Sequence, residues 1–271
     1  MVALLRASHL QPTLAVTLIA TALAVAAGRG AGSVWVCLAV LAGQLSVGWS
    51  NDYVDRHRDG IAGRLDKPIP SGRVPAALVR TSAAAAALAC VPLSLLSGWR
   101  AGFVHLGAVG VAWSYNIWLK STVASVLAYA LAFGALPAFV SLGLPGRPWP
   151  PAWSVVAAGL LGSGAHFVNT LPDLAEDERT GVRGLPHRIG PRRSLFLGAG
   201  LLATATLVLA IAPAAPLDLL GTMLVVVSLG AVLGVIVTAS TARPRAAWTL
   251  TLCAAGLSVS AFLASGTELA G

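Results

Sequence analysis

Charge is scarce in this sequence. Only 10% of its 271 residues are Asp, Glu, Lys or Arg, where a water-soluble domain carries about a quarter. That little polar surface cannot cover a globule in water, which excludes an ordinary soluble domain. Acids are scarcer still, ten against eighteen bases. The basic excess does not point to nucleic acid, because no basic stripe with interleaved aromatics accompanies it. Cysteine is limited to Cys37, Cys90 and Cys253, each inside an apolar run and none in a CxxC pair. That spacing offers no thiolate metal site or redox motif, and the three read as small buried hydrophobes.

Apolar runs are what the sequence has in abundance: 56% of residues are hydrophobic and mean hydropathy is +0.80. A bilayer is crossed by about 20 mostly apolar residues. Nine stretches qualify, at 10–27, 33–50, 75–97, 101–119, 122–142, 152–171, 192–212, 217–239 and 246–266. The expectation is an all-α, multi-pass membrane protein of nine transmembrane helices. The first stretch, with Arg6 before it and Ala26-Ala27 at its end, has the outline of a secretory signal. Its length and the eight stretches after it make it a span instead.

Nine spans put the termini on opposite sides. With a cytoplasmic N-terminus, fifteen of the eighteen basic residues fall inside, leaving Arg29, Arg100 and Arg147 outside. This asymmetry is the positive-inside signature. The acids are equally uneven. Asp52, Asp55, Asp59 and Asp66 follow the second stretch, and Asp173, Glu176, Asp177 and Glu178 follow the sixth. Only Asp218 and Glu268 lie elsewhere, near outer ends. Both clusters therefore face the cytoplasm, each after the second helix of a group of four. The chain reads as two four-helix pseudo-repeats plus one helix, forming a single domain over 1–271.

The clusters share a pattern. Asn51, Asp55 and Asp59 are spaced i, i+4, i+8, and so are Asn169, Asp173 and Asp177. On a continuing helix each set shares one face, with Asp52 beside Asp55. Like charges at this spacing repel, near lipid more so, and a divalent cation removes the repulsion. Hard oxygen donors without paired His or Cys suit Mg²⁺, which takes one or two carboxylates and completes its shell with water and phosphate oxygens. Two such clusters facing each other would clamp a diphosphate. Lys120, the one charge on its short connection, and Arg64, Lys67 and Arg183, which flank the clusters, would stabilise charge growing on a leaving group. The bland alternative is a solvated interface of acids and positive-inside anchors. It accommodates Arg56, Arg58, Glu176 and Glu178, but not two clusters with matched spacing and placement. His105 and His166 lie inside apolar stretches, where core packing is the commoner role. Asn169 and Asn116 are candidates to line a cavity.

Asn51-Asp52-x-x-Asp55-x-x-x-Asp59, followed by Arg64-x-x-Lys67-Pro68-Ile69-Pro70-Ser71-Gly72, resembles the first signature of the UbiA family of intramembrane prenyltransferases. Tyr115-x4-Lys120 resembles that family's short basic loop. Asp173-Leu174-Ala175-Glu176-Asp177 with Gly181-Val182-Arg183-Gly184-Leu185-Pro186-His187 resembles its second signature. The resemblance covers essentially the whole chain and is closest in motif to the 4-hydroxybenzoate type. It implies a helical bundle around a central cavity, with two Mg²⁺ ions on Asn51, Asp52, Asp55, Asp59, Asp173 and Asp177. It also implies an isoprenyl diphosphate bound by Arg64, Lys67, Lys120, Arg183 and Asn169, with Asp55, Asp173 and Lys120 as catalytic residues. Arg6 is similar to an N-terminal arginine near the acceptor in some members. Gly184 and Ser121 depart from the family pattern, which commonly has Ser or Thr, and a second base, at those places.

The implied reaction is prenyl transfer from a prenyl diphosphate to an acceptor, most simply an aromatic one. A cyclase using the same cation without an acceptor, transfer to a non-aromatic lipid and a transporter built on the repeat are the alternatives. The transporter would put its charges at mid-membrane, and here they cluster at one face.

Overall fold

The computed structural model describes residues 2–241 and 243–264; Glu268 and the end of the ninth apolar stretch lie outside the described residues. Every regular element among them is helical. A five-residue helix α1 (Val2–Arg6) leads into α2 (Leu10–Ala26), α3 (Gly32–Ile61), α4 (Ala76–Leu95), α5 (Trp99–Ile117) and α6 (Ser125–Ser141). Then come α7 (Ala152–Thr170), the short α8 (Leu174–Arg179) and α9 (Leu185–Ile189), and α10 (Pro191–Ile211), α11 (Leu219–Ser240) and α12 (Pro244–Ala264). A helix thus occupies each of the nine apolar stretches. Of these, α3, α4, α10, α11 and α12 are long and apolar enough to cross a membrane.

Consecutive long helices pack side by side, and α12 returns to pack against α2, which closes the bundle. The bundle is apolar outside, and its largely apolar interior carries some buried polar contacts. Leu18, Val226 and Leu88 (73% exposed) point outward, whereas Thr206, Ser228 and Ser258 meet in a buried hydroxyl triad at 2.8–3.3 Å between α10, α11 and α12. An apolar exterior has no place in water and suits lipid. The interior hydroxyls hold helices together where the hydrophobic effect cannot.

Two departures from the sequence expectation concern the aspartate motifs. The second stretch does not end at residue 50: α3 runs on through Asn51, Asp55 and Asp59 for 30 residues, so the first motif does share one helical face. The second motif does not. α7 stops at Thr170 and α8 restarts at Leu174, because Pro172 has no N–H to donate and crowds the preceding turn. Asn169 therefore belongs to α7, Asp173 stands at the break as the N-cap residue, and Asp177 sits on α8. The identical spacing in sequence yields two different local geometries.

The N-terminal turn is clamped onto α3. Trp49 Nε1 donates to the Leu4 carbonyl at 2.8 Å, and the Ser8 carbonyl sits against Gly48, where a Cβ would collide with it. His9 follows at φ 53, a left-handed conformation uncommon outside glycine. Replacing Gly48 by Val is expected to cost about 1–3 kcal/mol through overpacking, read as a lowered thermal unfolding midpoint in detergent. Gly110→Ala, where a new Cβ meets nothing within 4 Å, should leave the midpoint unchanged or raise it.

Candidate functional site

The C-terminal ends of α3, α5 and α7 and the α8–α9 segment surround the mouth of a cavity of about 1070 Å³. Successive residues on a helix point about 100° apart, so Asn51, Asp55, Arg58 and Asp59 face the cavity while Asp52 points away. The structure thus places Asp52 apart from the other residues of its motif. It does not line the cavity; its Oδ1 accepts from Lys67 Nζ and contacts His9 Nε2, each at 3.0 Å. Asn51 donates its amide to Asn116 Oδ1 at 3.2 Å. Asn116 in turn donates to the Val47 carbonyl and Ser50 Oγ. With its nitrogen engaged, Asn51 keeps its oxygen for a ligand.

The first-motif carboxylates are almost fully buried, Asp52 at 2% and Asp55 and Asp59 at 5% exposure, and basic side chains meet them. Lys120, buried on the turn after α5, donates to Asp55. Arg58 pairs with Asp55 at 2.8 Å and reaches Asp177 at 3.8 Å. Lys67 bridges Asp52 at 3.0 Å and Asp59 at 3.4 Å. Arg64 pairs with Asp173 at 3.1 Å and Glu176 at 3.6 Å. Two of these bases, Arg58 and Arg64, cross from one motif to the other, so the motifs do face each other.

The electrostatics follow from these contacts. Burial alone would lower the Lys67 ammonium, but Asp52 and Asp59 outweigh it and hold its pKa above the usual lysine value. Hydrogen bonding to Asp66 raises Arg64 further, burial opposing and Asp173 and Glu176 reinforcing. The same contact lowers the Asp66 carboxyl. Burial pulls the Lys120 ammonium down, with Asp55 working against it.

Arg183 is likewise not brought to the cavity. It is exposed and lies off the cavity; its carbonyl accepts from Arg188 Nε at 3.0 Å. The base beside Asp177 is His187, with Nε2 at 3.4 Å. Arg56 is also outside the site, stacked over the Tyr53 ring at 4.0 Å. The residues that the sequence reading missed are Arg58, His187 and His9. Arg58 was visible as an i+3 partner of Asp55, and His187 stood in the second signature. Nothing local marks His9.

The departure at Gly184 has a steric reason. A Cβ there would press on the Lys120 carbonyl and on Ser125 Oγ. The neighbouring Leu185 N–H donates to that same Ser125 Oγ, which also meets His166 Nε2, each at 3.1 Å. A bare backbone lets the α8–α9 segment lie directly on the turn that carries Lys120.

Deeper in, the cavity becomes aromatic and then aliphatic. Tyr129 meets Tyr115 at 5.1 Å and His166 at 4.7 Å between ring centroids, and Leu23, Leu136, Leu161 and Val259 line the apolar end. His105 also lines it, held by Ser94 Oγ at 2.8 Å and stacked on Phe139. Among the described residues no three His, Cys, Asp or Glu side chains converge as a metal group. The donor set nonetheless fits a hard cation. It is all oxygen; Glu176 Oε1 is buried without a hydrogen-bond partner, and buried Asp59 Oδ2 has only the Lys67 ammonium at 3.4 Å.

A family model described as the UbiA prenyltransferase family matches residues 10–266. The chain is 35% identical over 186 residues to the bacteriochlorophyll synthase 33 kDa chain of Cereibacter sphaeroides, covering 61% of this chain and 58% of that one. It is 32% identical over 171 residues to the digeranylgeranylglyceryl phosphate synthase of Korarchaeum cryptofilum, covering 60% and 58%. It is 29% identical over 167 residues to the 4-hydroxybenzoate octaprenyltransferase of Yersinia pseudotuberculosis, covering 59% and 57%. The chain thus spans little more than half the length of these relatives. A UbiA homolog from Archaeoglobus fulgidus, bound to GPP and Mg²⁺, shares the fold at a TM-score of 0.66 and 18% identity, over 97% of this chain and 98% of that one. With apolar helices enclosing this cavity and the family model spanning nearly its full length, the chain is an integral membrane protein that belongs to the UbiA prenyltransferase family.

Proposed function

We propose that the protein is a Mg²⁺-dependent prenyltransferase. It moves an isoprenyl group from a prenyl diphosphate to an acceptor inside the bundle. One observation carries this reading: two acidic motifs, tied across by Arg58 and Arg64, close the mouth of a cavity that is apolar and lipid-embedded below. That is the shape of a molecule with a charged head and a hydrocarbon tail. The A. fulgidus homolog's bound GPP and Mg²⁺ support it.

In this reading Asp55, Asp59, Asp173 and Asp177, with the Asn51 oxygen, hold the metal. Mg²⁺ when bound there supplies positive charge to the departing diphosphate. Lys120, Arg64 and Lys67 contribute fixed positive charge at the same mouth, in a site dry enough for it to count, and Asn169 offers its amide. Asp52 keeps Lys67 charged and in place rather than binding metal. Arg58 and His187 take the role first expected of Arg183. The C1–O bond breaks with its electrons leaving on the diphosphate oxygen. Tyr115 and Tyr129 present aromatic faces directly beneath, where a desolvated cation gains about 2 kcal/mol or more from a ring. The acceptor then forms a bond to C1 and loses a proton.

The finer expectations belong to this proposal. All nine long helices span the membrane as two groups of four plus one, in a single domain over 1–271. The N-terminus and both motifs face the cytoplasm, and two metal ions bind. The acceptor is aromatic, which the motif resemblance and the 4-hydroxybenzoate octaprenyltransferase relative support.

Asp173 is the cleaner of the two test positions, because its side chain is 42% exposed. Asp173→Ala should insert and fold normally yet lose turnover by at least about a hundredfold, the loss of ~3 kcal/mol of transition-state stabilisation. Near-normal turnover would sink the clamp. Asp55→Ala would strand Lys120 as a buried charge at a cost of about 3–5 kcal/mol. Asp55→Asn is therefore the informative change there, and it should abolish turnover while the protein still elutes as wild type does. Chelation of Mg²⁺ should stop the reaction, and re-addition should restore it.

A further inference from the structure

At the end of the bundle opposite the carboxylates a second hollow, of about 490 Å³, opens between the α2–α3, α4–α5 and α6–α7 connections. The run of α3 from Gly32 to Asp59 puts it ~40 Å from the metal-binding mouth. It owes nothing to that site.

Arg29 enters this hollow from the α2–α3 turn. Its Nη1 donates to the Val140 carbonyl at 3.0 Å. The guanidinium lies over Gly32 and Gly143, and a Cβ at Gly143 would occupy the same space, so the backbone is cut to receive it. No carboxylate pairs with it among the described residues. Asp218, the described acid at this end, accepts from the Gly221 N–H as the cap of α11. Burial accordingly lowers the Arg29 pKa with nothing to offset it, which is the signature of a cation lacking its counter-ion.

The polar side chains in the rest of the lining are also donors. Arg147 lines the hollow, held in the left-handed region at φ 52. Ser97 lines it at 4% exposure with its hydroxyl unpartnered. One long helix, α5, starts there just after Gly98, and its start has no side-chain cap. Uncapped helix starts direct N–H groups and a partial positive charge at whatever sits before them.

We propose that this hollow binds an anionic phosphate group, gripped by Arg29, Arg147 and the Ser97 hydroxyl at the start of α5. Two guanidinium groups, a hydroxyl and free backbone N–H groups match a tetrahedral oxyanion with several acceptor oxygens. The phosphate of a phospholipid from the facing leaflet and free inorganic phosphate present the same chemistry, and the experiment separates them.

Delipidated full-length protein is titrated with phosphatidylglycerol and, as a control, with diacylglycerol, and bound lipid is read by native mass spectrometry. In parallel, thermal unfolding is followed with inorganic phosphate against chloride at equal ionic strength. The wild type should retain one phosphatidylglycerol and no diacylglycerol if a lipid headgroup is the ligand. A midpoint raised by inorganic phosphate identifies the free anion instead. The Ser97→Ala, Arg147→Ala double variant removes two contacts without touching the Arg29–Val140 clamp, and should weaken binding about tenfold or more. Arg29→Lys keeps the charge but loses the fork and should also weaken it. Absence of binding to both probes in the wild type, or unchanged binding in both variants, overturns the proposal.

Discussion

A carboxylate removed from water must be met by an opposite charge, or it will not stay ionised. Asp52, Asp55 and Asp59 are removed from water almost completely, and this end of the bundle is arranged around that fact. Lys67 is folded back from the loop after α3, Lys120 is brought in on the turn after α5, and Arg58 turns inward from α3 itself. Arg58 extends the same network to Asp177 on the far side, and Arg64, on the loop after α3, meets Asp173 and Glu176 there. The ion pairs that neutralise the first motif thus also hold the second against it. Loss of any one partner strands another, which ties the shape of the mouth to its charge balance.

The same network explains how an empty mouth and a loaded one can share one framework. Each acid of the mouth has a base, and each base is a group that would attract a diphosphate. A divalent ion and a diphosphate together bring charges of both signs. They can take over the partners of both sets without leaving any of them bare. The glycine at 184 and the left-handed turn at His9 are the backbone features that permit this closeness. One lets the second-motif segment lie on the Lys120 turn; the other brings a His from the N-terminal segment onto Asp52.

Much of this was legible in the sequence, for a simple reason. In lipid the backbone must satisfy itself, so long apolar runs become helices, and a helix did form over each one. Scarce acids in two places marked the mouth. What was not legible depended on directions rather than spacing. Asp52 is adjacent to Asn51 in sequence but a third of a turn away around α3, and it faces a different neighbour. Pro172 broke the helix that the spacing of Asn169, Asp173 and Asp177 suggested. Arg183 and His187 are four residues apart, and only the path of the short α9 decides which one reaches Asp177. His9 meets a partner 43 residues away, a contact that no local pattern announces.

The central claim is that this mouth holds the diphosphate of a prenyl donor while the cavity below passes the prenyl group to an acceptor. Mass spectrometry of products from the purified protein tests it most directly. The protein is incubated with Mg²⁺ and a panel of prenyl diphosphates, with and without acceptors of the phenolic and prenyl-glycerol phosphate classes. The account predicts an acceptor heavier by one prenyl group and inorganic diphosphate released with it in equal amount. A cyclic hydrocarbon formed equally well without acceptor, or no consumption of any prenyl diphosphate, would contradict it.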